Sequence, residues 1–123
     1  ILMNIILDPS KIKPSNIVYL HPVNNTIIEN SNFIRILYSN KFTTLNGLHI
    51  QLFNNINRII SIEKMILNNY VLNKTPVFNM YYRFINHSGN NCFVKISGIW
   101  ETNVEYGLTF KVYYPPMKPS VIR

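Results

Sequence analysis

The chain has 123 residues, enough for one domain with a core and too few for two. Hydrophobic residues make up 47% and charged residues 14%, which excludes the polar, charge-dense signature of a disordered chain. Twelve Lys and Arg against five Asp and Glu leave a net charge of +7, a field that attracts polyanions over roughly 8 Å at physiological salt, nucleic acid being the commonest such partner.

Ile, Asn, Lys, Tyr and Phe dominate the composition, the mark of an AT-rich coding sequence more than of a physical demand of the fold. The glycosylation-type patterns beginning at Asn24, Asn73 and Asn86 are therefore chance expectations and carry no weight. A lone cysteine, Cys92, cannot close an internal disulfide, so a reducing, intracellular compartment is expected. The apolar opening stretch stops at Asp8-Pro9 without a basic leader, and is too short to span a bilayer, so no membrane association is expected. Met3 stands behind Ile1 and Leu2, which leads us to expect a portion of something longer.

In chain order, Pro9, Pro14 and Pro22 punctuate the first segment and leave residues 16–20 as a short strand suited to an edge. Thr26, Ile27 and Ile28 are expected to continue it after an Asn24-Asn25 turn. Residues 33–39 are β-branched and aromatic and end at a turn at Asn40-Lys41, so they form a strand. After the Asn46-Gly47 turn, Leu48, Ile50 and Leu52 alternate with His49, Gln51 and Phe53; the first set faces a core and the second the opposite side.

The period then changes. Ile59, Ile62, Met65 and Ile66 recur at threes and fours, predicting a helix over residues 61–69 with Ser61 as N-cap and Glu63 in its first turn. Residues 77–85 are apolar without a clean period, and both strand and short helix stay open for them. Beyond the loop at residues 88–91, Val94 and Ile96 alternate with Phe93, Lys95 and Ser97 in a strand. Residues 101–105 connect it to a second strand carrying Leu108, Phe110 and Val112 on one side, a hairpin. Pro115, Pro116 and Pro119 end it.

Strands, one helix, then a closing strand pair is the element order of a mainly β, OB-like five-stranded Greek-key barrel with one α-helix between the third and fourth strands. Its core is expected over residues 15–114, flanked by residues 1–14 and 115–123. A β-sandwich or jelly-roll fragment would give a similar strand count but makes the middle helix less expected.

The residues alternating with the core set point outward: Phe33, Arg35, Phe53, Phe93, Lys95, Lys111 and Tyr113, joined by Trp100 at a strand end. Cations beside aromatic rings are what single-stranded nucleic acid requires, phosphates being neutralised by Lys and Arg while unpaired bases stack on rings for roughly 1–3 kcal/mol each. Against this stands the plainer reading that rings in small β domains more often pack than bind. Catalysis lacks its usual material. The five acids are scattered, and only Glu101 and Glu105 lie close, in what reads as a solvated hairpin turn. His21, His49 and His87 have no Cys or carboxylate at metal-ligand spacing, Cys92 reads as a buried structural thiol, and the glycines form no phosphate loop. Neither an enzyme nor a metal or other cofactor is expected.

Residues 33–39, 42–48, 95–101 and 106–111 resemble a family of small proteins from nucleocytoplasmic large DNA viruses, over about half of the chain. Some of those proteins look like the phage-type single-stranded DNA-binding proteins, OB-fold domains that coat DNA during replication. The resemblance implies the same role here, in viral DNA replication or repair within the host cell, with replication proteins or further copies of the chain as partners. The departure is at the end: phage-type proteins commonly carry an acidic C-terminal tail, whereas Met117, Lys118 and Arg123 belong to a basic one. Either a tail is missing here or the function differs. The competing function is a viral structural or assembly protein that uses exposed Tyr and Phe in protein contacts.

Overall fold

Alternation along four long segments builds one mixed sheet, and the single stretch of helical period lies against it. A computed structural model describes residues 6–27, 29–52, 56–70, 73–85 and 92–113. After two 3-10 turns, Pro9–Lys11 and Pro14–Asn16, come β1 (Ile17–Tyr19), β2 (Val23–Asn24), β3 (Asn32–Ser39), β4 (Thr44–Leu45) and β5 (Leu48–Leu52). Then follow α1 (Ile56–Asn69), β6 (Thr75–Val77), α2 (Met80–Ile85), β7 (Cys92–Glu101) and β8 (Glu105–Tyr113).

The β7–β8 hairpin is the spine of the sheet. On its far side β7 pairs first with β5, through Leu48 to Leu52, and then with β3, through Asn32 to Arg35, both antiparallel. β3 in turn carries β1 and β2 on its outer edge and β4 beyond its middle. Gly47, at φ +90, makes the bend between β4 and β5, and a Cβ there would stand 2.5 Å from the Ile96 carbonyl oxygen. Asn-Gly was the right signal for that turn.

Inward-facing Ile34, Ile36, Leu48, Ile50, Val94, Ile96 and Ile99 are fully buried and form one cluster with Ile62, Ile66, Leu67 and Met80 of the helices. Tyr19 and Tyr106 lie at the helix C-terminus, where their hydroxyls donate to the carbonyls of Ile66 (2.9 Å) and Leu67 (3.3 Å). These are among the carbonyls that the last helical turn leaves without intrahelical partners. Burial, with the neighbouring Tyr70, pushes the Tyr19 hydroxyl up to about 12.

Several expectations need correction. The helix begins at Ile56, because residues 56–60 contain no breaker, so Ser61 is interior and not its N-cap. Glu63 is buried in mid-helix, and its Oε2 accepts from the backbone N–H groups of Asn79 (2.8 Å) and Met80 (3.0 Å), fixing the start of α2 to α1. The open segment, 77–85, is mostly helix, Met80–Ile85, and its first residue closes a strand, Thr75–Val77, that runs parallel to β8. Thr26 and Ile27 do not extend a strand, since the Ile27 N–H donates to Asn25 Oδ1 in a local turn at 2.9 Å; Ile28 lies outside the described residues.

The chain is mainly β as expected, but where a five-stranded barrel was expected the described residues form one mixed sheet that is not closed into a barrel. Eight strands occur among the described residues, and their path runs β1-β3-β7-β8-β6 with β1 and β6 at its ends. β7 gives one edge to two strands in succession, and β6 pairs with the first three residues of β8, Glu105 to Gly107.

Candidate nucleic-acid interface

The face of the sheet away from the helices is laid out by register. Three cross-strand rows run Phe33–Trp100–Gly107, Arg35–Gly98–Thr109 and His49–Lys95–Lys111, and a fourth runs Gln51–Phe93–Tyr113. Six of the predicted residues, Phe33, Arg35, Phe93, Lys95, Trp100 and Lys111, therefore come together on one side, and the backbone of Tyr113 sits opposite Phe93 in the same register. Phe53 lies outside the described residues.

Trp100 reaches this face through a bulge. Strict alternation from Val94 and Ile96 would carry Gly98 and Trp100 inward. Ile96 pairs with Phe110 but Gly98 with Thr109, so Ser97 is one residue too many. The extra residue reverses the phase. Ile99 and Glu101 are thereby buried, and Gly98 and Trp100 turn outward. The signal in the sequence was Ile99, an apolar residue in the wrong phase.

Two glycines make room for two rings. A Cβ on Gly98 would stand 2.8 Å from Cε1 and Cζ of Phe33, and one on Gly107 would stand 2.7 Å from Cζ2 of Trp100. Each ring thus reaches over a neighbouring strand and fills the space a side chain would take there. Beside them the Arg35 guanidinium lies 5.4 Å from the Phe33 ring centroid, a cation–π contact, and donates to Asn46 Oδ1 at 3.1 Å. Composition alone did not single out these glycines.

The cationic part of the face is the His49–Lys95–Lys111 row. Lys95 and Lys111 are directly opposite and both exposed. Like charges so placed repel, at a cost of a few tenths of a kcal/mol to roughly 1 kcal/mol. His49, whose ring meets that of Phe93 edge-on at 5.9 Å, completes the row; sequence reasoning turned it outward but did not count it among the binding residues. Burial, and then the Lys95 charge, holds its imidazole below the ordinary range, so it is neutral at pH 7.

No acid stands in these four rows. Glu101, expected in a solvated turn, is instead buried and pairs with Lys74 at 2.8 Å, with the Asn32 amide donating to its other oxygen at 3.4 Å. Its partner in that expectation, Glu105, is exposed at the hairpin end. Asp8 is taken up by Ser10, whose N–H and hydroxyl both donate to it and hold its carboxyl below the usual range. Among the described residues, no group of three or more His, Cys, Asp or Glu could hold a metal ion. No helix among them is long and apolar enough to cross a membrane.

Comparison of the chain with protein-family models, with curated proteins and with solved structures finds no match.

Proposed function

We propose that the protein binds single-stranded nucleic acid, DNA in preference to RNA, on the outer face of its sheet and without catalysis. The observation that carries this reading is the pair of rings, Phe33 and Trp100, set over Gly98 and Gly107 on the outer face beside the paired lysines Lys95 and Lys111. Unpaired bases stack on exposed ring surfaces whatever their identity, and phosphates relieve the repulsion between facing lysines. A duplex hides its bases and gains only the charge term.

The element order, with its helix between β5 and β7, supports an OB-like ancestry in which the sheet has opened. The viral resemblance supports a place in intracellular DNA replication or repair, with replication proteins or further copies of the chain as partners. The assembly-protein reading draws on Val18 and Leu20, which are exposed on and beside the edge strand β1.

Titration of labelled oligothymidylate, with duplex DNA of equal length as competitor, tests the proposal. Preference for the single strand supports it, and equal competition by the duplex removes it. A stable oligomer that binds no DNA would instead favour assembly.

A further inference from the structure

Beyond the sheet face, the far end of β3 carries a second basic surface. There β3 turns through residues 40–43 towards β4, and the two 3-10 turns pack alongside. Together they enclose an open groove of about 500 Å³ lined by Lys11, Lys13, Tyr38, Asn40, Lys41 and Phe42 among others. At the usual rise per residue it begins, at Tyr38, roughly 10 Å along β3 from Arg35.

No acid lines this groove, and among the described residues neither Lys11, Lys13 nor Lys41 forms an ion pair. Asp8, outside the lining, accepts from Ser10 and lies near enough to Lys11 to feel its charge without pairing to it.

At the floor stands Tyr38, 5% exposed. Its hydroxyl oxygen accepts from the Lys13 N–H at 2.9 Å and the Asn16 amide at 3.5 Å, which leaves its own proton as the one it can offer to a ligand. Asn40 Oδ1 accepts from the N–H groups of Phe42 (2.8 Å) and Thr43 (3.0 Å). That pins the hairpin tip and leaves the Asn40 amide nitrogen as a further donor. At the rim Phe42 is 84% exposed, with Lys41 Nζ 5.3 Å from its ring centroid. An exposed ring of that size beside a ring of donors and cations has no packing role to explain it.

We infer that this groove is a nucleotide site separate from the sheet face, taking a terminal phosphate with its base: the phosphomonoester of a strand end, or of a free nucleotide. Lys11, Lys13 and Lys41 surround the phosphate, the Tyr38 hydroxyl and Asn40 amide donate to its oxygens, and Phe42 stacks on the base. A phosphodiester within a strand carries one charge, whereas a terminal monoester carries nearly two and has a third free oxygen, so the three lysines and two donors lining the groove favour the monoester. The inference does not depend on the sheet reading.

The test uses the full chain in two arms. In the first, amide resonances are followed as adenosine 5′-monophosphate is added, with inorganic phosphate, of like charge, as the comparison. Residues 13, 15, 16 and 40–43 are expected to shift while residues 93–98 and 107–111 stay, and the monophosphate is expected to bind more tightly than phosphate.

In the second arm, oligothymidylates with a phosphate at the 5′ or the 3′ end are compared with the unphosphorylated strand. A phosphorylated end is expected to bind about tenfold tighter. Lys41→Ser and Phe42→Ser, both at exposed positions, and Tyr38→Phe should each diminish that advantage while leaving affinity for the unphosphorylated strand unchanged. Binding in the first arm alone identifies a free nucleotide and in the second alone a strand end; either supports the site. Absence of both, phosphate matching adenosine 5′-monophosphate, or indifference to Lys41→Ser and Phe42→Ser overturns it. The unphosphorylated strand reports separately on the sheet face.

Discussion

The indole of Trp100 occupies the place of the side chain that Gly107 lacks: a Cβ on Gly107 would stand 2.7 Å from Cζ2, 2.9 Å from Cε2 and 3.0 Å from Nε1. Phe33 stands in the same relation to Gly98 one row away. Ring orientation on this face is thus set by glycines on neighbouring strands, and it can be altered without touching the rings themselves.

Gly107→Ala is expected to lift the indole off the sheet at little cost in stability, because Trp100 is only half-buried and can move outward. As the chain has one tryptophan, its emission should shift to the red and become more open to iodide quenching. Affinity for oligothymidylate should fall with it, by up to the roughly 1–3 kcal/mol that Trp100→Ala removes.

Gly98→Ala behaves differently. Its Cβ would also stand 2.2 Å from the backbone carbonyl oxygen of Ile34, which cannot yield without parting β3 from β7. Destabilisation of about 1–3 kcal/mol is expected, read as a lowered midpoint in urea.

Glu63→Ala should release α2. Both N–H groups at the start of that helix lose their acceptor in a buried setting, at a cost of roughly 1–3 kcal/mol. Amide hydrogen exchange should quicken over residues 79–83 well before it does in β7. Glu63→Gln, which keeps one acceptor oxygen, should have the smaller effect.

His49 gives the face a pH dependence. Its pKa is lowered from 6.5, by burial first and Lys95 second, so the unfolded chain takes up the proton before the folded one. Its contribution to stability is complete above pH 6.5 and is lost as the pH falls through the lowered value. Thermal unfolding should show this loss in the wild type and not in His49→Gln. Lys95→Met should raise the titration of His49, as followed by its ring resonances. A bound phosphate, which offsets the lysine charge, should raise it as well, so polyanion affinity is expected to rise as the pH drops below 6.5.

Much of the fold was legible where alternation is clean. Leu48 and Ile50, Val94 and Ile96, and the Asn-Gly turn all carry local signals that tertiary packing reinforces. Five of the predicted binding residues, Phe33, Arg35, Phe93, Lys95 and Lys111, share the outer face for the same reason, and Trp100 joins them only through the bulge. Three features were not legible. The bulge at Ser97 is settled by which strand lies across from β7, and alternation knows nothing of the partner. The fate of residues 77–85 depends on Glu63, sixteen residues earlier, supplying acceptors for a helix start. The pairing of β6 with the start of β8 was hidden because it is parallel and joins distant segments. Glu101 was misread because a carboxylate beside a turn looks solvated until the same bulge rotates it inward to Lys74.

The most direct measurement is fluorescence-anisotropy titration of oligothymidylate across a range of salt concentrations, for the wild type, Lys95→Ser and Lys111→Ser. Binding should weaken steeply with salt, and each substitution should reduce the log–log slope by about 1, the signature of one lost phosphate contact. A slope near zero in the wild type, or slopes unchanged in both variants, would contradict binding of nucleic acid at the row of Lys95 and Lys111.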